Sequence, residues 1–323
     1  MLNPYIGRDE QLFSVEEHRL VGGRGDGMRL FEVVTGGGLE MAVAADRCLD
    51  IYRLRFRGVN LGYFSASGYV APAYFDARGD GFLDSFTGGF LTTCGLTHMG
   101  AAGMDGDEAL GLHGPIGAAP ADGACAYIEN GEIIVRGTMY QARQFSHKLR
   151  MDRVIRCPVG ESAFTITDRV TNFGDRASPL MVLYHMNFGY PLLDEGARIS
   201  VNSSKVVPRT AHAAKDLDTW NRATKPAAGF EEQCYFHFFD GAQAIARVEN
   251  AARGVAAEVS FDLGVLTQLT QWKMMGVRDY VMGLEPGTND PDGRAAARAN
   301  GTLRMLAPGE TVELAVRVRA EGI

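Results

Sequence analysis

The chain has 323 residues, of which 46% are hydrophobic and 22% charged, a composition typical of folded globular proteins and unlike that of disordered, collagen-like or coiled-coil chains. Its 32 basic and 39 acidic residues give a formal net charge of −7, which argues against a nucleic-acid partner because phosphate binding needs a basic surface. The length allows about two average domains, although all-β proteins of this size often form one. Forty glycines against 12 prolines favour many short strands joined by tight turns.

The amino-terminal segment Met1–Tyr5 lacks the basic and apolar parts of an export signal, so we expect a cytoplasmic protein. No stretch approaches the ~18 consecutive apolar residues of a membrane-spanning helix, so we expect no membrane role. No CxxC pair occurs among the cysteines, and we interpret all of them as reduced, mostly buried thiols: Cys48, Cys94, Cys125, Cys157 and Cys234.

Alternating apolar and polar residues, the pattern of strands with one buried face, recur along the chain. The clearest predicted strands lie at 51–57, 164–170, 255–263 and 312–319. Turns rich in glycine and asparagine separate the strands, and the only helical signals are short turns near 10–15 and 81–86. We therefore predict an all-β fold, a single large antiparallel β-sandwich domain over residues 1–323, with 63–123 and 210–232 as long loops over one end.

A histidine and an asparagine interrupt the most apolar predicted strand. With a period of two residues, Met181, Leu183, His185 and Asn187 share one face of this strand. A polar side chain on a core-directed face is costly unless it is satisfied. His185 is therefore either a hydrogen-bonded core residue or a group that faces a ligand.

A carboxylate ends a second apolar strand. Glu285 follows the run from Tyr280 to Leu284, and Pro286 then prevents ordinary ladder pairing. A carboxylate at the end of an apolar strand can have a raised pKa that suits a general base. The alternative is a solvated glutamate that begins a turn.

Two further segments carry candidate binding residues. His113 lies between glycines in the turn 111–115, where a backbone can approach a ligand closely; the alternative is an ordinary turn histidine. Arg47 and Asp50 interrupt an apolar strand and are either ligands for a polar molecule or a structural ion pair.

The segment 231–239 brings Glu232, Gln233 and His237 beside aromatic residues. Aromatic surfaces beside polar side chains are suited to sugar binding, and they also occur in ordinary hydrophobic cores.

Several sharper motifs do not occur in the sequence. It contains no GxxxxGK[ST] phosphate loop, no GxSxG elbow and no HExxH motif. The glycines at 23–27 do not form GxGxxG and indicate a hairpin turn. No HxH pair occurs among the histidines. We therefore expect neither a metal nor a cofactor.

Three motifs taken in order resemble the aldose 1-epimerase (galactose mutarotase-like) superfamily: His113 in a Leu-His-Gly turn, His185 in a Tyr-His-Met-Asn-Phe-Gly strand, and Glu285 in a Gly-Leu-Glu-Pro turn. Further segments resemble an uncharacterised bacterial branch of that superfamily: 45–51, 92–96, 112–114, 232–237 and 284–288. The resemblance extends over nearly the whole chain.

The resemblance implies a supersandwich of antiparallel sheets whose cleft binds one monosaccharide, and a mutarotase that interconverts the α and β anomers of that sugar. Carried over to this sequence, the resemblance implies that His185 is the general acid that protonates the ring oxygen and that Glu285 is the general base that acts on the anomeric hydroxyl. It also implies that His113 hydrogen-bonds the sugar near its reacting end. The further candidates for sugar binding are Arg47, Asp50, Asn187, Glu232, Gln233, Trp272 and Lys273.

Two departures separate the chain from galactose mutarotases. In galactose mutarotases an Asn-Arg pair precedes the Leu-His-Gly turn, whereas this chain has Thr93–Gly95 and His98 in that region. The aspartate that binds sugar hydroxyls in those enzymes has a counterpart here only by position, in Glu232 or Gln233. The identity of the sugar, including whether it is acidic, deoxy or phosphorylated, therefore stays open, as does the oligomeric state. Two alternative functions also stay open: a non-catalytic sugar-binding protein, and another sugar epimerase, lyase or hydrolase on the same scaffold.

Overall fold

A computed structural model describes residues 3–323; Met1 and Leu2, part of the segment considered above for an export signal, lie outside the described residues. Within residues 3–323 the chain forms 24 strands: β1 (Ser14–Arg19), β2 (Arg29–Val34), β3 (Leu39–Ala44), β4 (Asp50–Phe56), β5 (Val59–Asn60), β6 (Tyr63–Phe64), β7 (Gly88–Gly89), β8 (Leu91–Leu96), β9 (Gly103–Asp105), β10 (Glu108–Leu110), β11 (Asp122–Glu129), β12 (Glu132–Ala142), β13 (Lys148–Pro158), β14 (Ala163–Asn172), β15 (Ser178–Phe188), β16 (Arg198–Val201), β17 (Lys205–Pro208), β18 (Gln233–Phe238), β19 (Gln243–Asn250), β20 (Val255–Asp262), β21 (Gln268–Met275), β22 (Tyr280–Gly287), β23 (Arg304–Leu306) and β24 (Thr311–Gly322).

Helical structure is short. The one α-helix in the described part of the chain is α1 (Arg294–Ala299). The 3₁₀ turns lie at Asp9–Gln11, Gly23–Gly25, Pro72–Tyr74, Gly81–Ser85, Ile116–Ala118 and Ala213–Thr219. No helix among residues 3–323 has the length and apolar character needed to cross a membrane.

Three large antiparallel sheets build the molecule. The first has five strands in the order β1-β2-β3-β4-β5, and the second has eight in the order β11-β12-β13-β14-β24-β20-β19-β16. The third has seven strands, β17-β18-β21-β22-β15-β23 with β8 added on β15. The predicted all-β antiparallel fold is thus confirmed.

The eight-stranded sheet has one buried and one wet face, as its alternating sequence predicts. Along β24 every second residue from Val312 to Ala320 is buried, and along β13 the buried positions include Leu149, Met151 and Ile155. The predicted strands at 164–170 and 255–263 also belong to this sheet, as β14 and β20.

The central strand of the seven-stranded sheet, β15, differs because all 11 of its residues are buried. It runs between β8 and β22 and is covered on both faces. This explains its near-continuous apolar sequence, since a strand covered on both sides has no wet face to carry polar residues. Any ionisable group on β15 is therefore desolvated.

A buried ion network joins the three sheets. The Arg153 guanidinium of β13 donates to Asp168 of β14 at 2.8 and 2.7 Å, to Asp50 of β4 at 3.0 Å and to the Thr93 hydroxyl of β8 at 3.0 Å. Tyr184 of β15 donates to the same Asp168 at 2.7 Å. Because each group here is fully buried, the paired charges and hydrogen bonds must replace the lost hydration.

The prediction of a long loop over residues 63–123 is wrong. The region 63–123 contains β8, a fully buried strand of the seven-stranded sheet. Its sequence of threonine, cysteine and glycine has no alternation of apolar and polar residues, because both of its faces are covered. The region 210–232 contains only the 3₁₀ turn Ala213–Thr219. The five cysteines are free, and four are buried, as predicted.

Candidate active site

A cavity of about 360 Å³ opens over the seven-stranded sheet. Strands β15, β18, β21 and β22 provide its floor, and the segments around Phe82, Gly100 and His113 provide its walls. Its lining residues are Phe82, Leu83, Phe86, Gly100, Ala101, Leu112, His113, His185, Arg209, Glu232, Cys234, Thr270, Trp272, Glu285 and Pro291. The cavity thus collects His113, His185 and Glu285, which lie far apart in the sequence.

His185 and Glu285 meet on the floor of the cavity. The register of β15 and β22 pairs Met186 with Leu284, which places His185 directly opposite Glu285 on the same face of the sheet. His185 Nδ1 lies 3.3 Å from Glu285 Oε1. Both side chains are nearly fully buried, so the two titratable groups are largely desolvated.

A hydrogen bond with Asn187 determines which ring nitrogen of His185 carries the proton. The Asn187 amide nitrogen donates to the carbonyls of Gly88 and His185 at 3.3 and 2.9 Å, which turns its Oδ1 toward His185 Nδ1 at 2.7 Å. Because an amide oxygen can only accept, Nδ1 is the protonated nitrogen of the neutral ring. Nε2 is then the nitrogen that can exchange a proton with a bound molecule.

Burial determines the charge of the pair. It raises the pKa of Glu285 well above its usual value, and the neighbouring Glu232 carboxylate raises it further. Burial also lowers the pKa of His185 to about 4. Burial therefore favours the form of the pair in which the imidazole is neutral and the two groups share one proton. Because the groups are in contact, this proton belongs to the pair and not to one residue alone.

A glycine-bounded turn holds His113 over the cavity. His113 has a positive φ of 60°, and its N–H and carbonyl bond to Gly100 and Gly95. A side chain at Gly111 or Gly114 would collide with neighbouring backbone. The His113 ring meets the His185 ring edge to face, with centroids 5.4 Å apart, and burial lowers the pKa of His113 well below 6.5.

Three buried polar atoms in the cavity have no partner within residues 3–323. They are His113 Nδ1, Glu285 Oε1 and the Thr270 hydroxyl. Thr270 of β21 pairs directly with Glu285 of β22, so these two side chains lie on the same face of the sheet. Buried polar groups are normally hydrogen-bonded, and these three are placed to bind a polar ligand.

The rim combines an aromatic ring with charged groups. Trp272 packs edge to face on His185 with ring centroids 5.2 Å apart, and its Nε1 donates to Glu232 at 2.7 Å. Arg209 reaches the cavity while its Nε donates to Asp292 at 2.8 Å. The rim thus offers a flat apolar surface beside hydrogen-bonding groups of both charges.

A family model described as "Domain of unknown function (DUF4432)" matches residues 25–320. The chain belongs to this family. No curated protein matches the DUF4432 chain by sequence.

Solved structures share the fold of this DUF4432 chain. A provisionally named aldose 1-epimerase from Klebsiella pneumoniae is 26% identical with a TM-score of 0.87, over 97% of this chain and 86% of its own. A galactose mutarotase-like protein from Clostridium acetobutylicum is 16% identical with a TM-score of 0.68, over 97% and 100%. A galactose 1-epimerase from Lactobacillus acidophilus is 12% identical with a TM-score of 0.63, over 96% and 99%. The DUF4432 chain therefore has the galactose mutarotase-like fold, as its sequence motifs suggest.

The interpretation of Arg47 and Asp50 as sugar ligands needs correction. Arg47 donates to the carbonyls of Gly117, Val70 and Ser85 at 2.8, 3.0 and 3.2 Å. Asp50 accepts from Arg153 and Thr93. Both side chains are buried outside the cavity, because their hydrogen bonds tie loops and sheets of the DUF4432 fold together.

The interpretation of Gln233 and Lys273 as sugar-binding residues also needs correction, because both side chains face away from the cavity. They pair across β18 and β21 in register with each other, whereas Cys234 pairs with Trp272 on the cavity face. Gln233 donates to Asp216, and Lys273 donates to the carbonyl of Thr219. Asn187 lies behind His185 and does not line the cavity; Glu232 and Trp272 do line it.

The sequence interpretation missed Arg209, Thr270 and Gly283. Thr270 precedes Trp272 by two residues on β21, so strand alternation could have identified it. Arg209 follows the short strand β17 and shows no comparable pattern. Gly283 makes room for the Glu285 carboxyl, since a Cβ at this position would collide with Oε1.

Proposed function

We propose that this DUF4432 protein is an aldose 1-epimerase that interconverts the α and β anomers of a monosaccharide. The observation that carries the proposal is the His185–Glu285 pair, 3.3 Å apart on the floor of the cavity. Mutarotation needs one proton removed and one delivered a short distance apart, and a pair that holds a single proton suits this need.

The proposed reaction opens and closes the sugar ring. Glu285 takes the proton of the anomeric hydroxyl as the C1–O1 double bond forms and the C1–O5 bond breaks, and His185 Nε2 delivers a proton to O5. Rotation about C1–C2 turns the aldehyde, and the reverse transfers close the ring as the other anomer. Each group returns to its starting state, so the proton count balances over one cycle.

Substrate binding would bring the pair into its reactive form. In the free protein burial favours the uncharged forms of both groups, whereas the reaction needs a Glu285 carboxylate and a protonated His185. A sugar hydroxyl that donates to Oε1 favours the charged carboxylate. Glu285 then releases its proton to solvent and His185 Nε2 takes one up, since Nδ1 already carries the proton that it donates to Asn187. The Thr270 hydroxyl, which is unpartnered within residues 3–323 and lies on the same face of the sheet as Glu285, is a further hydrogen-bonding group for the bound sugar.

The walls of the cavity support a sugar as the ligand. Phe86 and Trp272 pack around His185 with ring centroids 5.3 and 5.2 Å from it, and aromatic walls with a few convergent polar groups are common in ligand pockets. His113 would hydrogen-bond the sugar near its reacting end, and Glu232 and Arg209 would contact its other hydroxyls at the rim.

Anomer exchange measured by magnetisation-transfer NMR tests the proposal. The panel contains neutral, deoxy, acidic and phosphorylated sugars, and the variants are His185→Ala and Glu285→Gln. We expect one sugar class whose exchange is accelerated, and a loss of about 10²–10⁴-fold in each variant.

The matched controls are His18→Ala and Glu313→Gln, which remove the same side-chain types from exposed positions. They should keep the wild-type rate. Binding of a sugar without acceleration of its exchange would contradict the proposal and favour a binding protein, whereas a stable new product would favour other sugar chemistry.

A further inference from the structure

A second cavity of about 340 Å³ lies behind the His113 turn. Gly111 and Gly114 of this turn face the second cavity, whereas Leu112 and His113 face the cleft described above. The two spaces therefore share one wall but have no lining residue in common. The proposed mutarotase reaction uses none of the residues of the second cavity.

His98 presents a hydrogen-bond donor to the second cavity. Its side chain is 2% exposed, and its Nδ1 accepts from the backbone N–H of Arg294 at 3.3 Å. Because Nδ1 is an acceptor, Nε2 carries the proton of the neutral ring. The carbonyls of Ala101 and Gly111 lie near the ring, but Nε2 makes no hydrogen bond within residues 3–323.

Among the described charged residues around the second cavity, one arginine has no paired carboxylate. Arg294 is paired with Asp105 and Glu108, and Arg298 is paired with the same Asp105, so these two cations balance two carboxylates. Arg143 also lines the cavity, and its guanidinium has no hydrogen bond or ion pair with any residue in the described part of the chain.

The rest of the wall is mixed. Ala77, Ala109, Leu110 and Pro115 are apolar, whereas Thr97, Gln141, Ser146 and His147 are polar. A ligand that fits must therefore combine one negative charge, an acceptor for His98 Nε2–H and a small body with both apolar and hydrogen-bonding groups. The Glu108 carboxylate in the wall disfavours a doubly charged anion.

We propose that this second cavity binds a small organic carboxylate, with one carboxylate oxygen on His98 Nε2 and the other on the Arg143 guanidinium. Charge-assisted hydrogen bonds of this kind are among the strongest that a neutral imidazole and an arginine can make. The site is independent of the proposed mutarotase activity, because the same geometry holds whatever the cleft does.

The first experiment titrates the whole protein with lactate and with lactamide, its uncharged counterpart of nearly equal size, and follows amide and indole signals by NMR. Lactate should shift the amides of Gly111, Gly114 and His147 saturably, and lactamide should not. The indole N–H of Trp272 reports on the cleft and should stay in place. Equal binding of lactamide, absence of saturable shifts, or shifts confined to Trp272 would overturn the proposal.

Variants then test the two residues that are proposed to bind the carboxylate, His98 and Arg143. Arg143→Ala removes an exposed side chain and should weaken lactate binding by about tenfold or more. His98→Asn keeps an acceptor near the Nδ1 position for Arg294 and removes the Nε2 donor, and we expect a similar loss. Arg169→Ala removes the same charge from a distant exposed site and should change nothing. Unchanged lactate affinity in Arg143→Ala would refute the site even if His98→Asn failed to fold.

Discussion

The carboxyl of Glu285 occupies the space that a side chain at Gly283 would fill. The two residues lie two positions apart on β22 and face the same cavity, and a Cβ on Gly283 would collide with Glu285 Oε1 and press on Trp272. The atom in the way is the end of a flexible side chain, so the collision displaces the carboxyl more than the backbone.

Gly283→Ala should therefore lower kcat by about 10²-fold, because a misplacement of about 1 Å at a reacting group has an effect of this size. The free energy of unfolding should change little by comparison. Anomer-exchange rates and urea denaturation measure the two effects. Gly264→Ala, at a position with open space around its Cβ, is the control. Full activity in Gly283→Ala would show that the observed carboxyl position is not needed.

We expect Asn187 to act as a positioning residue for His185, because its Oδ1 accepts from His185 Nδ1 at 2.7 Å. Asn187→Leu keeps a similar volume and removes the acceptor of the Nδ1 proton, so we expect kcat to fall by about tenfold or more with a smaller change in KM. Asn187→Asp keeps an acceptor and adds a negative charge, which should raise the pKa of His185 and shift the acidic limb of the pH profile upward. A merely structural Asn187 would leave that limb where it is in the wild type.

The pH dependence of kcat/KM should show a plateau around neutral pH. The plateau is the range in which the His185–Glu285 pair holds one proton. On the acidic side the pair gains a second proton as the pH falls through the His185 pKa of about 4, and the base is lost. On the alkaline side the pair loses its only proton above the raised pKa of Glu285. Anomer exchange measured across this range checks the shape; an acidic limb centred near 6.5 would contradict the burial argument.

Acid should destabilise the fold as soon as histidines that are buried in the folded protein become protonated in the unfolded chain. Burial lowers the pKa of both His98 and His237 from 6.5 to about 4, so between these values the unfolded chain binds protons that the folded chain does not. Stability is then fully present above pH 6.5 and falls as the pH drops toward 4, by on the order of 3 kcal/mol for each imidazole. Urea midpoints at a series of pH values measure this slope, and His237→Gln should reduce it. A flat stability profile between pH 6.5 and 5 would contradict it.

The main parts of the candidate site could be found from the sequence because they break local patterns. His185 interrupts an apolar strand, Glu285 follows an apolar run and precedes a proline, and His113 lies between glycines. Pro286 does not end the strand as predicted, because β22 continues to Gly287 and pairs with β21 there. Each of these signals is confined to a few neighbouring residues, and the alternation of side chains along a strand then predicts the face on which each group lies.

The misassigned residues depend on long-range information. Gln233 and Lys273 lie one position away from Cys234 and Trp272, and a shift of one residue reverses the face of a strand. Arg47 binds three carbonyls from distant segments, which no local pattern reveals. The second cavity likewise depends on a contact between His98 and Arg294 across most of the chain.

Neighbouring residues of β15 belong to different parts of the molecule. Tyr184 is anchored through Asp168 to the Arg153 network that holds the three sheets together, and His185, the next residue, faces the cleft. The proposed reacting group is thus the direct neighbour of a residue in this buried network, whereas Arg209, Glu232 and Trp272 at the rim come from other strands and loops. Such a division would let the rim residues change without disturbing the network beneath the proposed reacting group.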